Sequence, residues 1–172
     1  MTIEIQVPRI RLEETPRETI VDFFVSKSGE LPINGGWGYS KDDAAVIDKE
    51  DPVVLKGIPF DGVGIEYIFI EERIYEELIR YESEDGKYSV IEWHILGQSL
   101  IFDDERKYDV LSYEVTAIPE SDWDTLKTEQ ESNTELQGSE SEMRAHIKKN
   151  NIKMITYSTE CWFDITSFYG AD

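Results

Sequence analysis

His94 is the residue whose type and setting come nearest to acid–base chemistry. In the run from Tyr88 to Leu100 it shares a strand face with Glu92, and Glu114 lies on the strand that is predicted to follow. A carboxylate within hydrogen-bonding reach could orient the imidazole and let it exchange protons near neutral pH. Such pairs also arise by chance in sheets, so the alternative is a partly exposed structural histidine. No catalytic motif accompanies His94, and the sequence leaves open whether the chain is an enzyme.

A glycine-rich segment, LPINGGWGYS, surrounds two aromatic residues, Trp37 and Tyr39. Glycine and asparagine tolerate positive φ and proline disfavours regular structure, so this segment is predicted to be a loop. The loop could present both rings to a ligand or a partner. Alternatively, both rings fold back onto the core. The glycine spacing does not match that of a phosphate-binding loop.

Neither a metal nor a cofactor is predicted. The chain has no H-E-x-x-H, no paired CxxC and no EF-hand loop. Asp48, Glu50 and Asp51 could meet a hard cation in one loop, or they could simply be solvated. The single cysteine, Cys161, is predicted to be a packed thiol, and one thiol cannot form a framework of intrachain disulfides.

The chain is strongly acidic, with 37 Asp and Glu, 17 Lys and Arg, and a formal net charge of -20. That charge repels the phosphates of nucleic acids and anionic lipid headgroups, so neither is an expected partner. A basic protein is the natural complement, although the charge could serve only to keep the protein in solution. Between Ile101 and Glu142, 13 acidic residues outnumber 3 basic ones, which places half of the net charge in a quarter of the chain.

Part of this charge is predicted to form a binding surface. Carboxylates cluster at residues 103–105 and again at residues 122–124, and we expect the two groups to approach one another at one end of the sheet. Such a surface would speed association with a basic partner through electrostatic steering, and a tryptophan could anchor the complex. The predicted partner-binding residues are Trp37, Tyr39, Asp103, Asp104, Glu105, Asp122, Trp123 and Asp124.

The stretch from Gly62 to Tyr81 is predicted to be the helix around which the fold is organised. Its apolar residues recur at spacings of three and four, while its glutamates fall mostly outside the apolar stripe. The stripe consists of Tyr67, Ile70, Ile74, Leu78 and Tyr81. The segment from Val63 to Ile70 is also rich in β-branched and aromatic residues, so it could instead be a strand.

Alternating apolar and polar residues predict strands at both ends of the chain and after the helix. These patterns occur at Thr2 to Val7, Tyr88 to Leu100, Tyr108 to Ile118 and Ile152 to Ile165. The predicted core faces of the last three consist of Ile91, Trp93 and Ile95, of Leu111, Tyr113, Val115 and Ala117, and of Ile155, Tyr157, Cys161, Phe163 and Ile165. Residues 20–25, IVDFFV, are predicted to form an interior strand, with a short helix as the alternative.

The predicted fold class is α+β, with a mostly antiparallel sheet packed on one face by the long amphipathic helix of residues 62–81 and one or two shorter helices. Residues 128–142 contain one large apolar residue, Leu136, and cannot bury enough surface to offset their ordering entropy. We therefore predict a mobile acidic linker there. It would lie inside a single domain of residues 1–172, because the C-terminal strand, residues 151–166, is expected to return to the sheet.

Localisation and function are predicted from these features together. The N-terminus lacks a basic region followed by a long apolar run, and no segment approaches the roughly 20 apolar residues of a membrane span. We expect an acidic cytoplasmic protein-binding module without membrane contact, such as an immunity protein or an inhibitor of a basic partner like a nuclease toxin. The alternative is a small ligand-binding or enzymatic domain that uses the Gly35–Tyr39 loop and His94. The sequence does not indicate the oligomeric state.

Overall fold

The computed structural model describes residues 1–10, 14–24, 31–55, 60–80, 88–124, 128 and 153–170, and every structural statement below concerns these residues. The chain is mixed α+β, with a six-stranded sheet. The strands are β1 (Thr2–Glu4), β2 (Ile33–Gly35), β3 (Ala45–Ile47), β4 (Tyr88–Asp103), β5 (Arg106–Pro119) and β6 (Met154–Asp164). The helices are α1 (Pro16–Phe24), α2 (Pro52–Leu55) and α3 (Gly62–Tyr75); a 3₁₀ turn spans Lys41–Asp43, and a π-helical turn, Glu76–Arg80, continues α3.

The sheet is built around β6. One edge of β6 pairs with β5 in an antiparallel ladder that runs from Ile155 to Asp164. Its other edge pairs in parallel with β1 near its start and with β3 near its end. The strand order β2-β3-β6-β5-β4 places β2 and β4 at the two ends. The sheet is therefore mixed, with three antiparallel and two parallel pairings among the described strands.

The alternation in β5 and β6 decides which side chains enter the core. Successive side chains of a strand point to opposite faces, so the odd-numbered residues of both paired strands share one face. All nine side chains of the core faces predicted for residues 108–118 and 152–165 are buried, which confirms that part of the prediction, whereas Ile91, Trp93 and Ile95 of β4 are half-buried. On the opposite face, Tyr108 and Val110 form a smaller apolar cluster with Ala44.

Residues 62–75 are helical, so the extended alternative for Val63 to Ile70 is wrong. The side chain of Asp61 accepts a hydrogen bond from the Gly64 N–H and caps the helix. The interior side of the helix holds Ile65, Phe69, Ile70, Ile74 and Leu78, all buried. Phe69 packs edge-on against Phe163 of β6, with ring centroids 5.5 Å apart.

The simple amphipathic pattern predicted for the long helix is not confirmed. Tyr67, a member of the predicted apolar stripe, is 41% exposed. Several charged residues are buried instead, namely Glu66, Glu72, Arg73, Glu76 and Glu77. Because a buried charge is costly unless it is paired, these side chains need polar partners inside the protein.

Residues 16–24 form α1, so the interior strand predicted for residues 20–25 is wrong over the described part, and the helical alternative holds. Thr15 and Glu18 form a capping box: the Thr15 N–H donates to the Glu18 carboxylate, and the Glu18 N–H donates to the Thr15 hydroxyl. The hydrogen bonds that the Thr15 N–H and hydroxyl donate to the Glu18 carboxylate lower its pKa. Pro16 occupies the first helical position, where its fixed φ suits the helix.

Two other predictions meet the structure only in part. The predicted N-terminal strand covers residues 2–7, whereas β1 spans Thr2–Glu4. Of the predicted linker, residues 128–142, only Thr128 belongs to the described part, so the rest of that prediction lies outside it.

We predict that Gly38→Ala destabilises the protein by about 2–4 kcal/mol. Gly38 has a φ of +84°, and a Cβ placed there would lie 2.7 Å from the Cys161 sulfur. The loss combines backbone strain with overpacking against β6. Urea denaturation of the variant and the wild type measures it.

Gly97→Ala is the matched control. Gly97 lies in β4, and no atom lies within 4 Å of the position that a Cβ would take, so an alanine has room there. Alanine is the better strand residue, and the control should be at least as stable as the wild type. Equal losses in the two variants would show that the crowding at Gly38 is unimportant.

Candidate functional site

Arg73 is the centre of a polar group buried between α3 and the sheet. Its side chain is fully buried. Its Nη1 donates to the carbonyl oxygen of Trp37 at 3.1 Å, and its Nη2 donates to Thr159 Oγ1 and to the carbonyl oxygen of Glu160, both at 3.0 Å. The guanidinium carbon lies 3.9 Å from the centre of the Tyr39 ring. One side chain thus joins α3, β6 and the loop that carries Trp37.

Glu77 supplies the negative charge of the same group. Its Oε2 lies 3.7 Å from Arg73 Nε, one helical turn away. Tyr39 Oη donates to Oε2 at 2.7 Å, and Tyr157 Oη donates to Oε1 at 3.1 Å. Burial raises the pKa of Glu77, while the Arg73 charge and the two hydroxyl donors oppose that shift. Tyr39 Oη also accepts a hydrogen bond from the Ile10 N–H at 3.0 Å, which ties the N-terminal segment to the group.

This buried group has the residue types of a reactive site but not the access. Cys161 is buried beside Arg73, as predicted for a packed thiol, and burial raises its pKa to about 12. Burial also raises the pKa of Tyr39 and of Tyr157. Neither a thiolate nor a phenolate forms at neutral pH, so we assign the group a structural role.

A second buried polar group lies nearer to the start of α3. Glu66 of α3 and Asp109 of β5 are 3% and 5% exposed. Gln98 of β4 donates to Asp109 Oδ2 at 2.6 Å, and Asp109 Oδ1 is buried without a hydrogen-bond donor. Burial raises the pKa of Glu66 to about 8, and the charge of Asp109 adds to the shift. Sequence analysis identified neither carboxylate.

The hairpin between β4 and β5 carries three of the predicted partner-binding residues. Asp103 pairs with Arg106 in the ladder, leaving Asp104 and Glu105 as a two-residue turn, and both are exposed. Asp104 has a φ of 51°, a conformation that aspartate tolerates better than most residues. Asp103 forms an ion pair with Lys41, so its charge is compensated in part within the molecule.

Five carboxylates and three cations lie at or beside this hairpin end. The carboxylates are those of Asp42, Asp103, Asp104, Glu105 and Asp164, and the cations are Lys41, Arg106 and Lys107. Arg106 is bonded to Asp164 at 3.1 Å, and the Lys41 ion pair brings the 3₁₀ turn against the hairpin. The region therefore keeps a net negative charge, carried outward by Asp104 and Glu105.

Three large apolar side chains are exposed at the same end. Leu100, Phe102 and Tyr169 are 47%, 59% and 39% exposed. The rings of Phe102 and Tyr169 meet edge to face with centroids 5.5 Å apart, and Lys107 Nζ lies 5.6 Å from the centre of the Tyr169 ring. Sequence analysis did not single out these residues. Together with Asp104 and Glu105 they form what we call the hairpin patch.

The two aromatic residues of the glycine-rich loop do not form a surface anchor. Trp37 is 5% exposed and packs against Phe69, with ring centroids 6.1 Å apart. Tyr39 is half-buried, and its hydroxyl is engaged by Glu77 and Ile10. The alternative of the sequence analysis, in which both rings fold back onto the core, describes what the structure shows.

The second acidic group does not join the first. Asp122 and Trp123 are half-buried and Asp124 is exposed, just beyond Pro119 where β5 ends. The hairpin lies at the opposite end of β5, and a strand of that length spans roughly 40 Å. The expectation that both acidic groups gather at one end of the sheet is therefore wrong, because β5 separates them along its length.

His94 remains apart from the glycine-rich loop. It is exposed on the sheet face opposite α3, and its Nε2 lies 3.8 Å from Glu114 Oε1, too far for a hydrogen bond. The loop contacts β6 through the bond from the Trp162 N–H to the Gly38 carbonyl, so β5 and β6 both separate it from β4. The two parts of the predicted ligand-binding or enzymatic site are not brought together.

The acidic loop of residues 48–51 is explained by internal contacts. Arg17 forms an ion pair with Asp51 and, as the largest contribution, lowers its pKa. Asp51 also accepts a hydrogen bond from the Val53 N–H at the start of α2, and Asp48 accepts one from the Glu50 N–H. Within the part of the chain that the structure describes, no cluster of three or more His, Cys, Asp or Glu is arranged to hold a metal ion.

Among the described residues, no helix combines the length and the apolar character needed to cross a membrane. Comparisons with protein-family models, with curated proteins and with solved structures give no match for this chain. Function must therefore be argued from the residues themselves.

We predict that Arg73→Leu lowers the free energy of unfolding by about 3–5 kcal/mol, because it leaves the Glu77 carboxylate buried without its cation. Arg73→Lys should lower the free energy of unfolding by less, because lysine keeps the positive charge and gives up only the hydrogen bonds of the planar guanidinium. Urea denaturation near neutral pH measures both variants.

The control is Glu71→Gln, at an exposed position on the same helix. It should change the stability by no more than about 0.5 kcal/mol. If Arg73→Leu were as stable as this control, the buried pair would contribute nothing to the fold.

Proposed function

We propose that this chain is a cytoplasmic protein-binding module whose partner is a basic protein, as it would be for an immunity protein or an inhibitor of a basic nuclease toxin. The observation that carries the proposal is the hairpin patch, in which exposed Phe102, Leu100 and Tyr169 lie beside exposed carboxylates. Aromatic side chains dominate the energetics of protein interfaces, and charged residues at the rim set the rate and the selectivity of association.

The charge of the whole chain supports a basic partner. A net charge of -20 creates a long-range field that attracts a cationic protein and repels nucleic acids and anionic lipids. Asp104 and Glu105 project from a hairpin turn, where an approaching partner would meet them first. Phe102 and Leu100 lie two residues apart on the same strand face, which gives an extended apolar strip next to that charge.

The buried polar groups support binding over catalysis. The side chains with the most perturbed pKa values, those around Arg73 and Glu66, are enclosed between α3 and the sheet. A catalytic group must reach its substrate, and these side chains, apart from half-buried Tyr39, are buried. The hairpin patch is exposed, which suits contact with a macromolecule.

We predict that Asp104→Lys/Glu105→Lys weakens the salt-sensitive capture of a basic protein. The immobilised wild-type chain is used to retain proteins from the source cell at low salt, and retained basic proteins are purified and titrated against it at rising NaCl. Two reversed rim charges should slow association roughly tenfold or more at low salt. Phe102→Ala should weaken the complex by about 2 kcal/mol, roughly thirtyfold in Kd, mostly through faster dissociation.

Glu120→Lys/Asp124→Lys is the matched control, because it makes the same change in net charge at two exposed positions near the opposite end of β5. It should leave the dissociation rate unchanged and slow association only slightly. If the two double variants had equal effects, the interaction would be a non-specific attraction between charges. Failure to retain any basic protein would refute the proposal.

A further inference from the structure

Glu66 and Asp109 form a pair of carboxyl groups buried between α3 and β5, with one oxygen lacking a donor. Gln98 satisfies Asp109 Oδ2, whereas Oδ1 is enclosed and receives no hydrogen bond from a conventional donor. A buried acceptor without a donor is costly, and such atoms are rare in folded proteins. The group that interacts with Asp109 from α3 is the carboxyl of Glu66.

Two ionised carboxylates enclosed together would repel one another in a medium that screens charge poorly. If Glu66 holds a proton, its O–H becomes the donor that Asp109 Oδ1 lacks, and the repulsion disappears. Burial raises the pKa of Asp109 as well, but the hydrogen bond from Gln98 opposes that shift, and so does the one that protonated Glu66 donates. These two bonds stabilise the ionised form of Asp109, so the proton resides on Glu66.

We propose that Glu66 and Asp109 share one proton that joins α3 to β5, and that loss of this proton as the pH rises weakens the attachment of the first half of α3 to the sheet. The contact is a pH-sensitive element built into the fold. It is independent of the proposed function, because its effect is measured on the protein alone.

The titratable groups around Glu66 support this assignment. Asp61, at the start of α3, adds a second negative charge to that of Asp109 from β5. Cys161 of β6 contributes a thiol that burial keeps neutral, and Gln98 of β4 is uncharged. The nearest cation along α3 is Arg73, seven residues and roughly 10 Å further along the axis, where Glu77 and three oxygen acceptors engage it. The groups that act on Glu66 therefore favour its protonated form.

Because of its position, the Glu66–Asp109 pair affects how the N-terminal end of α3 is attached to the sheet. Asp109 is opposite Leu100 in β4 and Phe163 in β6, so the pair lies under the first turns of α3 and next to the apolar part of the hairpin patch. Gly62, the first residue of α3, packs close to the Phe168 ring. A repulsion created at Glu66 acts on this segment and not on the Arg73 group further along.

The raised pKa of Glu66 determines how the stability of the protein changes with pH. Glu66 has a pKa of about 8 in the folded chain and an ordinary value of 4.5. The folded state therefore binds more protons than the unfolded state between these two values. The stability that this group contributes is complete below about pH 4.5 and is lost as the pH rises to about 8.

The decisive experiment compares wild type with Glu66→Gln by urea denaturation at a series of pH values from about 5 to about 9. Glutamine keeps an N–H donor for Asp109 at every pH. The difference in stability between the two proteins should shift steadily in favour of Glu66→Gln as the pH rises, and level off above about pH 8. Glu71→Gln, on the exposed side of the same helix, should show no such trend. A difference between wild type and Glu66→Gln that does not depend on pH would overturn the proposal.

Infrared spectroscopy tests the proton directly, without relying on a variant that folds well. Wild-type protein labelled with ¹³C at the glutamate carboxyl groups should show a protonated carboxylic acid band near neutral pH that disappears with a midpoint near pH 8. Asp109→Asn removes the neighbouring charge, so in that variant the midpoint should move to lower pH. Absence of the band in wild-type protein near pH 6 to 7 would also overturn the proposal.

Discussion

The structure depends on the burial of one guanidinium. Arg73 carries a charge that gives up its hydration completely, and the protein must replace the water with oxygen atoms in the right places. Those atoms come from the carbonyls of Trp37 and Glu160, from the Thr159 hydroxyl and from Glu77, while the Tyr39 ring covers one face of the group. Since these partners belong to a loop, a strand and the helix itself, none of the three elements can move without leaving a buried charge unsatisfied.

This constraint also fixes how α3 sits against the sheet. Apolar contacts such as that of Phe69 with Phe163 are not directional, and a shift of one turn along the helix could exchange one apolar contact for another. The polar contacts permit no such exchange. A shift would remove Arg73 from its carbonyls and Glu66 from Asp109, and each loss leaves a polar atom enclosed without a partner. Two polar groups, seven residues apart on one helix, thus set a single arrangement.

The sequence predicts the long strands β4, β5 and β6 well, but it places β2 inside a predicted loop and predicts the interior of the helix poorly, for a physical reason. A period of two in β5 and β6 reports directly on burial, because one face of each strand enters the core. For α3 the same logic fails, because Arg73 is buried by carbonyls and hydroxyls that lie far away along the chain, and no local pattern identifies them. In α1 the signal is local, because Thr15 and Glu18 form a capping box and Pro16 occupies the first helical position. These signals predict a helix more strongly than the β-branched and aromatic residues of the segment predict a strand.

The hairpin patch shows how one extra residue changes a surface. From Glu92 to Ile95, the odd-numbered residues of β4 share a face with the core residues of β5. A bulge between Ile95 and Gly97 shifts the register, so that Leu100 and Phe102 now share the face of Leu111 and Asp109. Glycine inside a strand is a sequence signal for such a bulge, but its effect on the facing of later residues depends on the partner strand. The bulge places Leu100 and Phe102 beside Tyr169 and the carboxylates of the turn, where α3 does not cover these apolar side chains. The irregularity of the edge strand thus creates the surface on which the proposed function rests.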